Sequence, residues 1–126
     1  MSETFRELVL IMDRLREPGG CPWDRKQDFE SFLPNLREEL EEVEAAMRAR
    51  DPENLCEEIG DLIFNLIFVA RLAKEEGWFT VEDSLTSIRD KIVRRHPHVF
   101  GDAKCETSGE VLAQWDRIKR EERTET

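Results

Sequence analysis

The sequence contains no tyrosine, two histidines and three cysteines among its 126 residues. The cysteines (Cys21, Cys56 and Cys105) are odd in number and lack C-x-x-C spacing, so neither a disulfide framework nor a zinc site is predicted. Free thiols are typical of a reducing cytosol. The first residues also lack the basic and then apolar order of a signal peptide. We therefore expect a cytoplasmic protein.

Positive charge and long apolar runs are scarce as well. Nineteen Lys and Arg residues stand against 29 Asp and Glu, which gives a net charge of −10. Because binding to a nucleic-acid backbone needs the opposite excess, nucleic acid is excluded as a general partner. The longest apolar run, residues 62–70, is interrupted by Asn65 and falls far short of the roughly 20 residues that cross a bilayer. No membrane partner is predicted.

Helical spacing of apolar residues is what the sequence has in abundance. Phe5, Leu8 and Met12 follow at three- and four-residue steps, and no stretch alternates as a strand would. The predicted helices begin near residues 5, 31, 52, 80 and 108 and end near residues 16, 50, 76, 96 and 123. We expect an all-α bundle of four to five helices, forming a single domain over residues 1–126 with an ordered core at about residues 4–123.

The second and third predicted helices carry acidic residues beside their apolar stripes. At about 100° per residue, Glu39 and Glu42 flank the stripe of the second helix. On the third helix, Glu58, Asp61 and Asn65 line the corresponding flank. The stripe of the second helix consists of Leu36, Leu40, Val43 and Met47, and that of the third consists of Ile59, Leu62, Leu66, Ala70 and Ala73.

The short connection between these two helices favours an antiparallel pair, which would bring the four carboxylates together. Without a cation they would splay outward or take up protons. Oxygen ligands without cysteine or histidine favour Mg²⁺, with Mn²⁺ as a substitute. The spacing by itself favours a solvated acidic face over a metal site, and both interpretations stay open. A di-iron site of the Glu-x-x-His type is excluded, because His96 and His98 straddle a proline outside any predicted helix.

The acidic segments resemble a family signature. Residues 38–42 (EELEE) followed by residues 58–61 (EIGD) resemble the E-E-x-x-E…E-x-x-D pattern of the MazG family, which are all-α nucleoside triphosphate pyrophosphohydrolases. Further resemblance lies in residues 20–24 (GCPWD), in residues 91–100 (KIVRRHPHVF), and in residues 111–123 with Trp115 and Lys119.

The resemblance implies Mg²⁺-dependent hydrolysis of a nucleoside triphosphate between the α and β phosphates. The implied Mg²⁺ ligands are Glu39, Glu42, Glu58 and Asp61, with Glu38 as a further ligand or as the base. Lys91, Arg95 and Lys119 are implied to face the phosphates, and Trp115 to border the nucleotide. Because so few helices leave the site open, we also expect a homodimer or a larger oligomer.

Several of these residues are open to simpler interpretations. Lys91 and Arg95 have the spacing of a solvated helix face, and Trp115 has that of a core residue. Trp23 could stack on a base or close the end of the bundle. Asn65 could bind a phosphate or a water, or only a neighbouring side chain.

The sequence departs from the family in two respects. Many relatives carry two copies of this domain, which need not be equally active, and this chain has one copy that resembles the first. Gln27 is followed by Asp28 and Phe29, where the family suggests threonine and often histidine. The alternative functions are a relative specific for dUTP, dCTP or phosphoribosyl-ATP, and a nucleotide-binding module with weak turnover.

Overall fold

The computed structural model describes residues 2–125, which fold into helices joined by turns. The described helices are α1 (Glu3–Arg16), α2 (Pro22–Lys26), α3 (Phe29–Ala49), α4 (Pro52–Glu75), α5 (Val81–Arg95), α6 (Pro97–Phe100) and α7 (Ser108–Glu125). They form two compact units that divide after Val81. The predicted all-α class is confirmed, while the single domain over residues 1–126 stays a prediction.

The predicted number of helices is too low, because the sequence predicts no helix where α2 and α6 lie. These helices span five and four residues, which is too short for an apolar period to appear. Each begins with a proline, Pro22 or Pro97. Proline suits the first turn of a helix, where its fixed φ fits and its missing N–H has no partner to lose.

Side-chain caps set the boundaries of α3 and α4. The backbone N–H of Ser31 donates to Asp28 Oδ1 (2.8 Å), and the Asp28 N–H donates to Ser31 Oγ (2.9 Å). This capping box starts α3 two residues earlier than predicted. Arg50 ends α3 with a positive φ of 52°, and Asp51 caps α4 ahead of Pro52. The connection is therefore a tight two-residue turn.

The core of the first unit lies between α1, α3 and α4. Its buried members are Met12, Phe32, Ile67, Phe68 and Leu72. The rings of Phe32 and Phe68 stack with their centroids 4.1 Å apart and their planes 4° from parallel. This contact joins the N-terminal part of α3 to the C-terminal half of α4, as antiparallel packing requires.

The apolar stripes predicted on the two long helices are only partly buried. On α3, Leu40 and Met47 are 57% and 62% exposed. On α4, Ile59 and Leu66 are exposed, whereas the later residues of the stripe, Ala70 and Ala73, are buried. The difference arises because the apolar residues of α1 pack against the C-terminal half of α4.

In the second unit, side chains of α7 contact the C-terminal end of α5. The indole N–H of Trp115 donates to the carbonyl of Arg95 (2.7 Å), the last residue of α5. Gln114, which is 6% exposed, lies 2.9 Å from His98 Nδ1 through its Nε2. The Trp115 bond satisfies a carbonyl that the end of α5 leaves unpaired, and the Gln114 contact gives a buried amide a partner on α6. None of the described helices is long and apolar enough to cross a membrane.

Arg16 joins three parts of the first unit. Its side chain is 8% exposed and donates to both carboxylate oxygens of Glu75 (2.6 and 2.7 Å). It also donates to the carbonyls of Asp24 and Gln27, and its guanidinium lies 5.3 Å from the centre of the Phe68 ring. The end of α1, the segment with α2 and the end of α4 are therefore held by one cation.

We expect Arg16→Ala to lower the free energy of unfolding by about 3 kcal/mol, because it removes one of the two arginines that pair with Glu75 and leaves the carbonyls of Asp24 and Gln27 without that donor. Urea unfolding followed by circular dichroism measures this change. Arg14→Ala is the matched control, since Arg14 is 76% exposed and forms an exposed ion pair with Glu17 three residues along the chain; the expected loss is under about 0.5 kcal/mol. Equal losses in the two variants would contradict the role given to Arg16.

Candidate active site

Four carboxylates meet between α3 and α4, about two turns from the aromatic core contact. They belong to Glu39, Glu42, Glu58 and Asp61, and we call them the acidic cluster. One carboxylate oxygen of each residue lies within 4.8 Å of those of the other three. The Phe32–Phe68 stack explains this. Along an antiparallel pair, the same register places Glu39 opposite Asp61 and Glu42 opposite Glu58.

The acidic cluster lacks compensating positive charge among the described residues. One oxygen each of Glu39 and Glu58 is buried without a hydrogen-bond partner there. The pKa of Glu58 is raised to about 7, first by a hydrogen bond with Glu42 and then by burial and neighbouring charges. Burial, followed by the charges of Glu42 and Asp61, also raises the pKa of Glu39. Below about pH 7 the free protein therefore retains a proton where a cation could sit.

The residues present fit a hard divalent cation. All four groups offer carboxylate oxygens, the ligand type that Mg²⁺ and Mn²⁺ prefer. The two unpartnered buried oxygens need a positively charged or hydrogen-bonding partner, since an unsatisfied buried polar atom is costly. Glu38 lies outside the set of four and is exposed, yet it is near enough for its charge to raise the pKa of Glu39.

Two further predicted site residues belong to the first unit. Asn65 follows Asp61 by one turn of α4 and is 9% exposed, and its side-chain Nδ2 has no hydrogen-bond partner among the described residues. Trp23, carried by α2, is 51% exposed and packs edge-to-face on Phe32 with ring centroids 6.5 Å apart. Asn65 is thus an available donor beside the acidic cluster, and Trp23 presents much of its surface to solvent.

The remaining predicted residues belong to the second unit. Lys91 is half-buried, Lys119 is exposed, and the side chain of Arg95 is 24% exposed. Trp115 uses its indole N–H on the Arg95 carbonyl and places its ring edge-on to His96 (5.3 Å between centroids). The tryptophan therefore caps a helix, and only its ring is left for another contact.

The sequence did not single out Arg94 and Glu122. Both arginines at the end of α5 form ion pairs with Glu122 of α7. Consecutive basic residues were visible in the sequence, but a partner 27 or 28 positions away gives no local signal.

Comparison with known proteins gives one consistent family. Residues 27–100 match the MazG nucleotide pyrophosphohydrolase domain. The chain is 49% identical over 119 residues to a nucleoside triphosphate pyrophosphohydrolase of Escherichia coli K12. A nucleoside triphosphate pyrophosphohydrolase/pyrophosphatase MazG of Thermotoga maritima is 44% identical over 119 residues. In both cases the match covers 94% of this chain and 45% of the relative, so the chain spans less than half the length of these relatives.

A solved structure resembles the described fold. The crystal structure of a mazG-related protein from Thermotoga maritima superimposes with a TM-score of 0.76 at 34% identity. The match covers 91% of this chain and 98% of the other.

The raised pKa of Glu58 predicts a specific pH dependence. Between its ordinary value of 4.5 and about 7, the folded protein holds a proton that the unfolded chain has released. The contribution of Glu58 to the free energy of unfolding therefore falls as pH rises through this range. Glu58→Gln removes the titration, so in EDTA at pH 8 we expect it to melt at a higher temperature than the wild type.

Thermal melts followed by circular dichroism in EDTA at pH 4 and pH 8 test this expectation. Glu57→Gln is the control, since Glu57 is an exposed neighbour on the same helix. A gain at pH 8 that is shared by both variants, or absent from both, would contradict the assignment.

Proposed function

The chain belongs to the MazG nucleotide pyrophosphohydrolase family, and from that membership we propose that it hydrolyses nucleoside triphosphates between the α and β phosphates. The products would be a nucleoside monophosphate and pyrophosphate. The observation that carries the proposal is the acidic cluster, whose oxygens lie within 4.8 Å of one another. Carboxylates held this close can bind a divalent cation, and phosphoryl transfer needs such a cation to neutralise the charge of the substrate.

Glu39, Glu42, Glu58 and Asp61 would hold Mg²⁺, with Mn²⁺ as a substitute. The cation would neutralise charge on phosphate oxygens and make water more acidic. The support is the donor set itself, together with the two buried carboxylate oxygens that lack a partner.

Glu38 is the proposed general base. It is exposed and adjacent to the acidic cluster without being part of it, so its carboxylate is available to accept a proton. In the proposed reaction, water adds to phosphorus and the P–O bond of the anhydride breaks. The proton of the water passes to Glu38, and the leaving group keeps the bonding electrons on its oxygen, so that the products are the monophosphate and pyrophosphate.

Each of the two units, taken by itself, offers groups that suit a nucleotide, and we propose these groups for substrate binding. Lys91, Arg95 and Lys119 supply positive charge suited to phosphates, and Arg95 also has a buried Nε without a partner among the described residues. Asn65 offers its unpartnered amide nitrogen as a donor. The exposed ring of Trp23 and the ring of Trp115 are proposed to border the nucleoside. The cytoplasmic location stays a prediction.

We also propose that the chain forms a homodimer or a larger homo-oligomer. Leu40 and Met47 form an exposed apolar row on α3, and Ile59, Ile63 and Leu66 form another on α4. Each row lies on the same rotational side of its helix relative to the acidic residues. In an antiparallel pair this places both rows on one face of the α3–α4 hairpin. A second copy of the chain would cover that apolar face.

Product analysis tests the activity directly. Incubation with a panel of nucleoside triphosphates and Mg²⁺, followed by chromatography, is expected to yield monophosphate and pyrophosphate in equal amounts. Glu42→Gln or Asp61→Asn should lower the rate at least about 100-fold, because each removes a charged group that the reaction needs. Glu41→Gln makes the same change at an exposed position on α3 and is expected to keep the activity.

Other outcomes would correct the proposal. Stepwise release of single phosphates would show a phosphatase, and consumption of one triphosphate alone would show a narrow-specificity enzyme. Nucleotide binding without any product would leave a binding module. Equal activity of the wild type and the cluster variants would contradict the ligand assignment.

Light scattering at micromolar concentration tests the oligomer. We expect a mass of at least about twice the 14.8 kDa of the chain. Leu66→Glu should shift the mass toward the monomer, since it places a charge in the proposed interface. Ala45→Glu adds the same charge at an exposed position on α3 that lies away from the apolar row, and it should leave the mass unchanged. A wild-type mass near that of one chain would contradict the proposal.

A further inference from the structure

Two neighbouring arginines share one carboxylate in the second unit. Arg94 and Arg95 are the last two residues of α5. Arg94 Nε donates to Glu122 Oε2 (2.5 Å), and a terminal nitrogen of Arg95 donates to Glu122 Oε1 (2.9 Å). The hydrogen bonds from Arg95 and Arg94 lower the pKa of Glu122 to about 2. The glutamate is therefore charged at neutral pH, and each of its oxygens holds a different arginine.

Helix geometry alone would not bring these arginines together. Consecutive residues of a helix point about 100° apart and do not face each other. Two adjacent guanidinium groups also repel. The shared carboxylate overcomes both obstacles, and it comes from a helix that begins 13 residues after α5 ends.

The same helix holds Arg95 at a second point. Trp115 precedes Glu122 by two turns of α7, and its indole N–H donates to the Arg95 carbonyl. Both the backbone and the side chain of Arg95 are thus attached to α7. The guanidinium is placed by two contacts seven residues apart on one helix.

The group that results still favours anions. Two guanidinium groups and one carboxylate leave a net charge of +1. Glu122 engages each arginine through a single nitrogen, so each guanidinium has further N–H groups. The Nε of Arg95 is buried and has no partner among the described residues. Guanidinium groups are well suited to phosphate because they can donate two parallel hydrogen bonds.

We propose that Glu122 is a positioning residue that brings Arg94 and Arg95 together as a binding site for a polyphosphate group. The inference rests on the proposed function, in which the substrate carries a triphosphate. Immobilising two long side chains before binding removes part of the entropy cost of ordering them later.

Removal of the Glu122 charge distinguishes this role from simple competition. If Glu122 competed with phosphate for the arginines, Glu122→Gln would bind polyphosphate more tightly. A positioning residue gives the opposite sign, because the arginines separate and the site is lost.

Isothermal titration calorimetry with inorganic tripolyphosphate in EDTA and low salt measures this difference. EDTA removes divalent cations, so the acidic cluster cannot hold the anion through a metal. We expect the wild type to bind and Glu122→Gln to bind about tenfold more weakly. Glu121→Gln makes the same charge change at an exposed neighbour and should stay within about twofold of the wild type. The double variant Arg94→Gln and Arg95→Gln should lose most of the binding.

Thermal melts with and without tripolyphosphate separate positioning from a purely structural role. Positioning predicts a smaller ligand-induced rise in melting temperature for Glu122→Gln, and recovery of much of it in Glu122→Asp, which keeps the charge. A structural role would lower the melting temperature of the free protein and leave the ligand-induced rise unchanged. If Glu122→Gln does not fold, Glu122→Asp replaces it with a smaller expected loss of affinity.

Tighter binding by Glu122→Gln, an affinity equal to that of Glu121→Gln, or no binding by the wild type would each overturn the proposal. The measurement does not depend on turnover. A wild-type protein that binds tripolyphosphate here and releases no pyrophosphate from nucleotides would overturn the proposed function and leave this inference standing.

Discussion

The register between α3 and α4 is the constraint on which the candidate site depends. Phe32 stacks on Phe68 deep in the first unit, and the tight turn at Arg50 and Asp51 joins the other ends of the two helices. Between these two fixed points the facing residues are determined by helical rise alone. The acidic cluster occupies this stretch, so its convergence follows from apolar packing and turn geometry, and not from any attraction among its members.

The convergence of four carboxylates raises the free energy of the folded protein, and two features of the structure offset this cost. The pKa of Glu58 is raised first by its hydrogen bond with Glu42, and the pKa of Glu39 is raised first by burial; repulsion among the neighbouring carboxylates adds to both. The apolar contacts of α1, α3 and α4 supply the stability that keeps the carboxylates in place. Such a cluster would be prepared for the proposed cation before that cation arrives. That preparation is what the proposed hydrolysis of a highly charged substrate would use.

The sequence predicted what depends on periodicity and missed what depends on tertiary position. Helical spacing placed the five long helices and put Glu39, Glu42, Glu58 and Asp61 on facing flanks. The start of α3 was misplaced because Ser31, a typical first capping residue, acts as the second member of a box that Asp28 begins.

Other features could not be derived from spacing at all. Leu40 and Met47 are exposed because α1 packs near Phe32 and does not cover the later part of α3. Periodicity within α3 gives no information on where α1 packs. The ion pairs of Glu122 with Arg94 and Arg95 depend on where α7 runs in the second unit. Short α2 and α6 escaped prediction because one turn of helix has no measurable period.

The hydrogen bonds of Arg16 bear on how Trp23 can behave. The carbonyls of Asp24 and Gln27, which flank the end of α2, accept from a guanidinium that is itself anchored to Glu75 and lies over Phe68. Through Arg16, the backbone that carries Trp23 is therefore attached to the core of the first unit. We therefore expect the segment that carries Trp23 to be held in place and not to open as a loop. A ligand that contacts Trp23 would then bind a preorganised surface.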